Sequence, residues 1–234
     1  QGITVITGGP GTGKSTIVSG LIQVLSELEP GVRISLAAPT GRAAQRLTDL
    51  TDCEASTIHR LLGYTLAEGE PTFTYNRKNQ LRTDLLVVDE FSMVDVVLAY
   101  QMLQAVPTAG RVVLVGDKDQ LPSVGPGSVL RDIIASGQVP TVRLTQIFRQ
   151  AEESLITVNA HRINHGQRLK LQNPSDFYYI RLEDPEAITQ TVVDLAAKLT
   201  GTFGLENIQI LAPMHKYVTG VQNLNRVLQE RLNP

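Results

Sequence analysis

The segment Gly8-Gly9-Pro10-Gly11-Thr12-Gly13-Lys14-Ser15 constrains this chain more than any other. It follows an apolar, β-branched run, Ile3-Thr4-Val5-Ile6, and leads directly into helical patterning over 15–28. A loop of the form G-x-x-x-x-G-K-[ST] between a strand and a helix turns its backbone N–H groups inward on anionic oxygens, and the helix N-terminus adds positive potential. The chain is therefore expected to build an α/β fold around a polyphosphate site. Gly9, Pro10, Gly11, Thr12, Gly13, Lys14, Ser15 and Thr16 are its candidate binding residues, with Lys14 bridging the β- and γ-phosphates and the Ser15 hydroxyl on Mg²⁺.

The chain keeps the same alternation as far as Arg143. Arg33-Ile34-Ser35-Leu36-Ala37-Ala38, Leu85-Leu86-Val87-Val88, Arg111-Val112-Val113-Leu114-Val115 and Thr141-Val142-Arg143-Leu144 are short, nearly continuous apolar runs. Strands buried on both faces of a parallel sheet require that character. Helical patterns over 41–50 and 94–103 lie between them, so right-handed crossovers place helices on both sides. From about 64 to 82 the rhythm breaks into polar, turn-rich sequence. Phe73 and Tyr75 alternate on one face and Asn76-Arg77-Lys78-Asn79 offers a turn, so the segment reads as an inserted β-hairpin or as a solvated loop excursion.

Beyond Leu144 a shorter pattern predicts a helix over 154–164, a strand near 177–182, a helix over 185–199 opened by Pro185, a strand over 208–212 and a helix over 219–232. The expected organisation is an ATPase domain over 1–144, with a small insertion at about 64–82, and the first part of a second lobe over 145–234.

Composition narrows the function classes. No apolar run approaches the roughly 20 residues that span a bilayer, so a membrane role is not expected. A single cysteine, Cys53, excludes an intrachain disulfide, and the four histidines lack ligand spacing, which fits a cytoplasmic setting. Net charge is only −2, so affinity for a polyanion must come from local groups. The chain opens on Gln1 without an initiator methionine, which reads as an expression or proteolysis boundary.

Two more strand ends carry chemistry. Leu85-Leu86-Val87-Val88 ends in Asp89-Glu90, which places two carboxylates at the C-terminal edge of the sheet beside the phosphate loop. Asp89 can hold Mg²⁺ through water, and Glu90 can orient and deprotonate an attacking water, work that a switch without turnover does not need. Val113-Leu114-Val115 leads into Gly116-Asp117-Lys118-Asp119-Gln120-Leu121-Pro122, where Gln120 can sense the γ-phosphate or the attacking water; a Gly-Asp turn after a strand is also ordinary.

Taken in order, the phosphate loop, Ala38-Pro39-Thr40-Gly41-Arg42-Ala43-Ala44, Ser56-Thr57-Ile58-His59-Arg60-Leu61-Leu62, Val88-Asp89-Glu90-Phe91-Ser92-Met93, the Gly116 to Pro122 element and Ile147-Phe148-Arg149-Gln150 resemble the motif set of superfamily 1 helicases, and within them the RecD-like branch. The resemblance covers nearly the whole chain. It implies an ATP- and Mg²⁺-dependent DNA helicase or translocase moving 5′ to 3′, or an ATP-driven regulatory subunit of a helicase–nuclease complex. It also implies single-stranded DNA and nuclease or helicase subunits as partners.

By the resemblance, Pro39, Thr40, Gly41, Arg42, Thr57, His59 and Arg60 line the DNA track, and their hydroxyls, amides and guanidinium groups suit phosphate contacts that read no sequence. Arg42 and Arg46 read equally as a solvated helix face, and His59 as a capping or packing histidine. The insertion falls where such helicases carry a strand-separating pin, with Phe73 and Tyr75 read either as base-stacking or as hairpin packing. Arg149 matches the arginine that reaches the γ-phosphate from the second lobe, and Phe148 an adenine-stacking aromatic or a core residue. With Glu90, Gln120 and Lys14, Arg149 completes the expected catalytic set. An adenine-reading glutamine segment and the last two helicase motifs are missing from the pattern, and Ala212-Pro213-Met214-His215-Lys216 is followed by Tyr217 where a glycine is expected.

Overall fold

The computed structural model describes residues 2–67, 69–146, 154–171 and 176–233. Six parallel strands form one sheet in the order β3-β2-β6-β7-β1-β8. β1 (Gly2–Gly8) pairs with β7 (Arg111–Gly116), Val5 opposite Leu114, and with β8 (Thr141–Leu144), Ile6 opposite Val142. β6 (Leu85–Val88) joins β7 to β2 (Ile34–Ala38), and β3 (Ala55–Thr57) closes the far edge. All four residues of β6 are buried, as continuous apolar strands between two helical layers must be.

Successive residues of a strand point to opposite faces, and the core divides accordingly. Val5, Leu86, Val88 and Leu114 pack on one face with Ile58, Met102, Leu130 and Ile134, from α3 (Ile58–Leu61), α4 (Val96–Ala105) and α5 (Val129–Ser136). Ile6, Leu85, Val87, Val113 and Val115 pack on the other with Val18, Ile22 and Leu47, from α1 (Lys14–Leu28) and α2 (Gly41–Thr51). Each such side chain contributes about 1.5–3 kcal/mol when fully buried, so this double-sided core holds the strand ends that carry the site.

The sequence reading did not anticipate β3 or α5. β3 has three residues, two of them hydroxylic, and too little periodicity to register as a strand. The insertion does contain a hairpin, β4 (Tyr64–Ala67) with β5 (Glu70–Phe73), Tyr64 opposite Phe73 and Ala67 opposite Glu70. The strands thus close between Ala67 and Glu70, while Asn76 and Asn79 exchange backbone hydrogen bonds of 2.8 and 3.2 Å in a separate turn on the way back to the core. Phe73 and Tyr75 pack against the core cluster, so the packing reading of that pair describes what is seen.

The chain divides into two compact units, Gln1–Phe177 and Tyr178–Pro234. α6 (Leu155–Asn164) belongs to the first. The second holds α7 (Pro185–Phe203) and α8 (Val221–Leu232), whose buried side chains include Val193, Ala196 and Leu224. The strands expected near 177–182 and over 208–212 do not form among the described residues, because neither segment has a ladder partner for its backbone groups. Asp184 caps α7 by accepting from Ala187 N, and Pro185 occupies the first turn as expected.

Candidate active site

The phosphate loop leaves β1 at the C-terminal edge of the sheet and feeds α1 at Lys14. Two glycines in it answer different needs. A Cβ on Gly8 would lie 2.5 Å from Thr12 Oγ1 and 2.8 Å from Leu144 O, so the loop passes too close to β8 for any side chain. Gly13, at φ +80°, takes the left-handed conformation that turns the loop into the helix. Thr12 Oγ1 donates to Gly9 O at 2.8 Å, and Lys14 Nζ donates to Gly8 O at 2.7 Å and Gly9 O at 3.1 Å. The lysine is thus held against the loop's own carbonyls.

A cleft of about 390 Å³ brings Pro10, Gly11, Thr12, Gly13, Lys14, Ser15 and Thr16 together with Asp89, Glu90 and Gln120. Three separate strand ends meet there, as the fold's open edge dictates. Glu90 N donates to Asp89 Oδ1 at 2.8 Å, and Glu90 adopts φ +51°. Burial pushes the Glu90 carboxyl above the ordinary range, the adjacent Asp89 charge pushes it further, and Lys14 and Arg46 oppose the rise. A raised carboxylate beside a phosphate loop has the chemistry of a general base. Ser92 Oγ reaches Gln120 Oε1 at 3.4 Å. The Ser15 hydroxyl and the Asp89 carboxylate are hard oxygen donors on one cleft wall, the sparse set that suits Mg²⁺ held largely by phosphates and water.

The expected DNA-track residues lie at the same sheet edge, where β2 and β3 end. Thr40 caps α2 by accepting from Ala43 N at 3.2 Å, and Thr57 caps α3 by accepting from Arg60 N at 3.1 Å. Pro39 and Gly41 flank Thr40 in the β2–α2 turn. Thr40 and Arg42 line a hollow of about 300 Å³ that they share with Asp89, Glu90 and Gln120. His59 packs edge-on against Tyr64, ring centroids 5.4 Å apart, and Tyr64 lies 5.4 Å from Phe73, so His59 ties α3 to the hairpin. Phe148 and Arg149 lie outside the described residues.

The sequence sets Arg46 beside Arg42 on a helix face without placing it at the phosphate cleft, and does not single out His161. Arg46 lines the phosphate cleft from α2, and helical spacing from Arg42 was the only available signal. His161, on α6, packs against Gly9 and has no sequence signature.

The AAA domain family model matches residues 1–126. The chain belongs to that family. It is 39% identical over 236 residues to the ATP-dependent RecD2 DNA helicase of Deinococcus radiodurans, covering 99% of this chain and 31% of that protein. It is 44% identical over 155 residues to the RecBCD enzyme subunit RecD of Mycolicibacterium smegmatis, covering 57% of this chain and 28% of that one. The crystal structure of Pif1 helicase from Candida albicans shares the fold, with a TM-score of 0.53 at 20% identity over all of this chain and 58% of its own. These likenesses place the chain with the RecD-like superfamily 1 helicases, and it spans about a third of the length of the curated relatives it matches. Among the described residues no helix is long and apolar enough to cross a membrane.

Proposed function

We propose that the chain is the ATP-hydrolysing part of a DNA helicase that moves 5′ to 3′ along single-stranded DNA. One observation carries this reading: the phosphate loop, Asp89, Glu90 and Gln120 line a single cleft, with the Thr40 and Arg42 hollow opening onto the same carboxylates. In this reading Lys14 leaves Gly8 O and Gly9 O for the β- and γ-phosphates, and the P-loop amides fix the polyphosphate. Ser15 and Asp89 would hold Mg²⁺, which when bound offsets charge between the β- and γ-phosphates. Glu90 takes a proton from the attacking water, and Gln120 orients that water or the γ-phosphate. Arg149 and Phe148 are assigned to the γ-phosphate and the adenine from the resemblance.

Pro39, Thr40, Gly41, Arg42, Thr57, His59 and Arg60 are assigned to the DNA backbone. Thr40 and Arg42 border the hollow that holds Glu90, so DNA seated there would bear directly on the base. Likeness to a relative named an ATP-dependent DNA helicase runs along 99% of the chain, which supports the helicase reading.

The full-length protein is expected to hydrolyse ATP faster when single-stranded DNA is added, and Lys14→Ala is expected to abolish both rates. A steady-state rate indifferent to DNA would sink the helicase reading while leaving the ATP site standing.

A further inference from the structure

The His161 side chain presses on the first limb of the phosphate loop. A Cβ built on Gly9 would lie 2.6 Å from His161 Cε1 and 3.4 Å from His161 Nε2. That Nε2 is buried and, among the described residues, has no hydrogen-bond partner. Burying a ring nitrogen without a partner costs on the order of 1–3 kcal/mol, so Nε2 has hydrogen-bonding capacity to offer a ligand.

The surroundings say which group. A second cleft, of about 230 Å³, is lined by Gly9, Pro10, Asp117, Gln120 and His161. Pro10 and Gln120 also line the phosphate cleft, so the two spaces meet over the loop. The amides from Gly11 to Ser15 cradle the inner phosphates and Lys14 reaches the β- and γ-phosphates, so a group that extends to the Gly9 side of the loop is the terminal one. Asp117 and Asp119 also line this cleft: Asp117 accepts from Asp119 N at 2.9 Å, and Asp119 pairs with Lys118 Nζ at 2.8 Å, which offsets one of the two carboxylate charges.

α6 is tied to the segment that follows it. Asn159, buried two residues before His161, donates to Lys170 O at 3.0 Å and accepts from Lys170 N at 2.7 Å, while Leu155 N donates to Asp176 Oδ1 at 2.8 Å. His161 O accepts from His165 N at 3.1 Å, which keeps the last turn of α6 closed beneath it.

We propose that His161 is a γ-phosphate ligand, its Nε2–H donating to a terminal phosphate oxygen so that α6 senses whether the nucleotide is a tri- or a diphosphate. This rests on reading Gly8 to Ser15 as the ATP site. When the polyphosphate draws Lys14 away from Gly9 O, the loop beside His161 changes its hydrogen bonding, and the imidazole meets the new charge directly.

The test compares the affinity of the full-length protein for ADP and for the non-hydrolysable analogue β,γ-imido-ATP, by competition against a fluorescent nucleotide. His161→Ala is expected to weaken the analogue about tenfold or more and to leave ADP within about twofold, as loss of one hydrogen bond to a charged group implies. Retained ADP affinity reports that the variant is folded. His161→Gln, which keeps an N–H donor, is expected to recover part of the loss. Equal weakening of both nucleotides, the result of a merely structural role, overturns the proposal, as does no weakening of either. If the unmutated protein binds neither nucleotide, the ATP-site reading fails and this inference falls with it.

Discussion

Glu90 carries two oddities that share a cause. Its φ of +51° is a left-handed conformation that costs a non-glycine residue about 1–3 kcal/mol. Its carboxyl is also pushed up by burial and by Asp89. The Asp89 hydrogen bond to Glu90 N holds the turn that makes both necessary, because it aims Glu90 into the phosphate cleft rather than out to solvent. Glu90→Gln keeps the shape and removes the base. It is expected to bind nucleotide normally and to lose turnover by about a hundredfold or more. The sign of its stability effect follows from linkage. A carboxyl whose folded pKa is raised stabilises the fold fully below its unfolded value, and that stability is lost as pH rises through the folded value. Near neutral pH Glu90→Gln is therefore expected to be more stable than the parent, and the gap should close as pH falls towards the ordinary carboxylate range. Denaturant titration at a series of pH values checks this; a gap that widened in acid would mean that Glu90 is not the strained carboxylate.

At the scale of elements, the sequence was most readable where burial was most complete. β1, β2, β6 and β7 were legible because strands covered on both faces must be continuously apolar, and the ends of β1, β6 and β7 delivered the phosphate loop, Asp89, Glu90 and Gln120 to one edge; β8, an edge strand with Val142 and Arg143 exposed, showed only its β-branched residues. β3 was not legible, since a three-residue edge strand takes its geometry from β2 rather than from its own pattern. The turn offered at 76–79 forms but does not join the hairpin strands, because Asn-rich sequence marks turns of any kind, while Gly69, at φ +86°, lies between the paired Ala67 and Glu70. His161 was invisible because its contact with Gly9 joins residues far apart in sequence, and no periodicity encodes that. In the second unit the loss of an expected glycine was legible, and its consequence is structural. Tyr217 adopts φ +77°, in a loop where Val221 N donates to Met214 O and Gln222 N to His215 O. The loop holds the conformation that a glycine suits, with a largely exposed tyrosine in its place. Tyr217→Gly is expected to stabilise this unit by about 1 kcal/mol, the relief of left-handed strain outweighing the added freedom of the unfolded chain. A lower melting temperature for the variant would show that the tyrosine ring is held by packing.

For the whole molecule, the distribution of charge matters more than its sum. A net charge of −2 offers no long-range attraction to a polyanion, and two arginines are committed to ion pairs at the ends of sheet strands: Arg33 pairs with Asp84 at 2.7 Å and Arg111 with Glu29 at 2.7 Å. DNA affinity in the proposed reading must then come from a few groups at the C-terminal sheet edge, Arg42 and Arg60 among them. Each phosphate contact that these groups make should add about 0.7 log units to the fall in single-stranded DNA affinity for each tenfold rise in salt concentration. Arg60→Ala is expected to weaken binding to all sequences alike and to reduce that slope by about 0.7, the signature of one lost phosphate contact. Fluorescence anisotropy with two unrelated oligonucleotides across a salt series measures both quantities. A slope unchanged by the substitution would place Arg60 off the DNA and leave the α3 turn, with Thr57 as its cap and His59 against Tyr64, as a structural joint between the sheet and the hairpin.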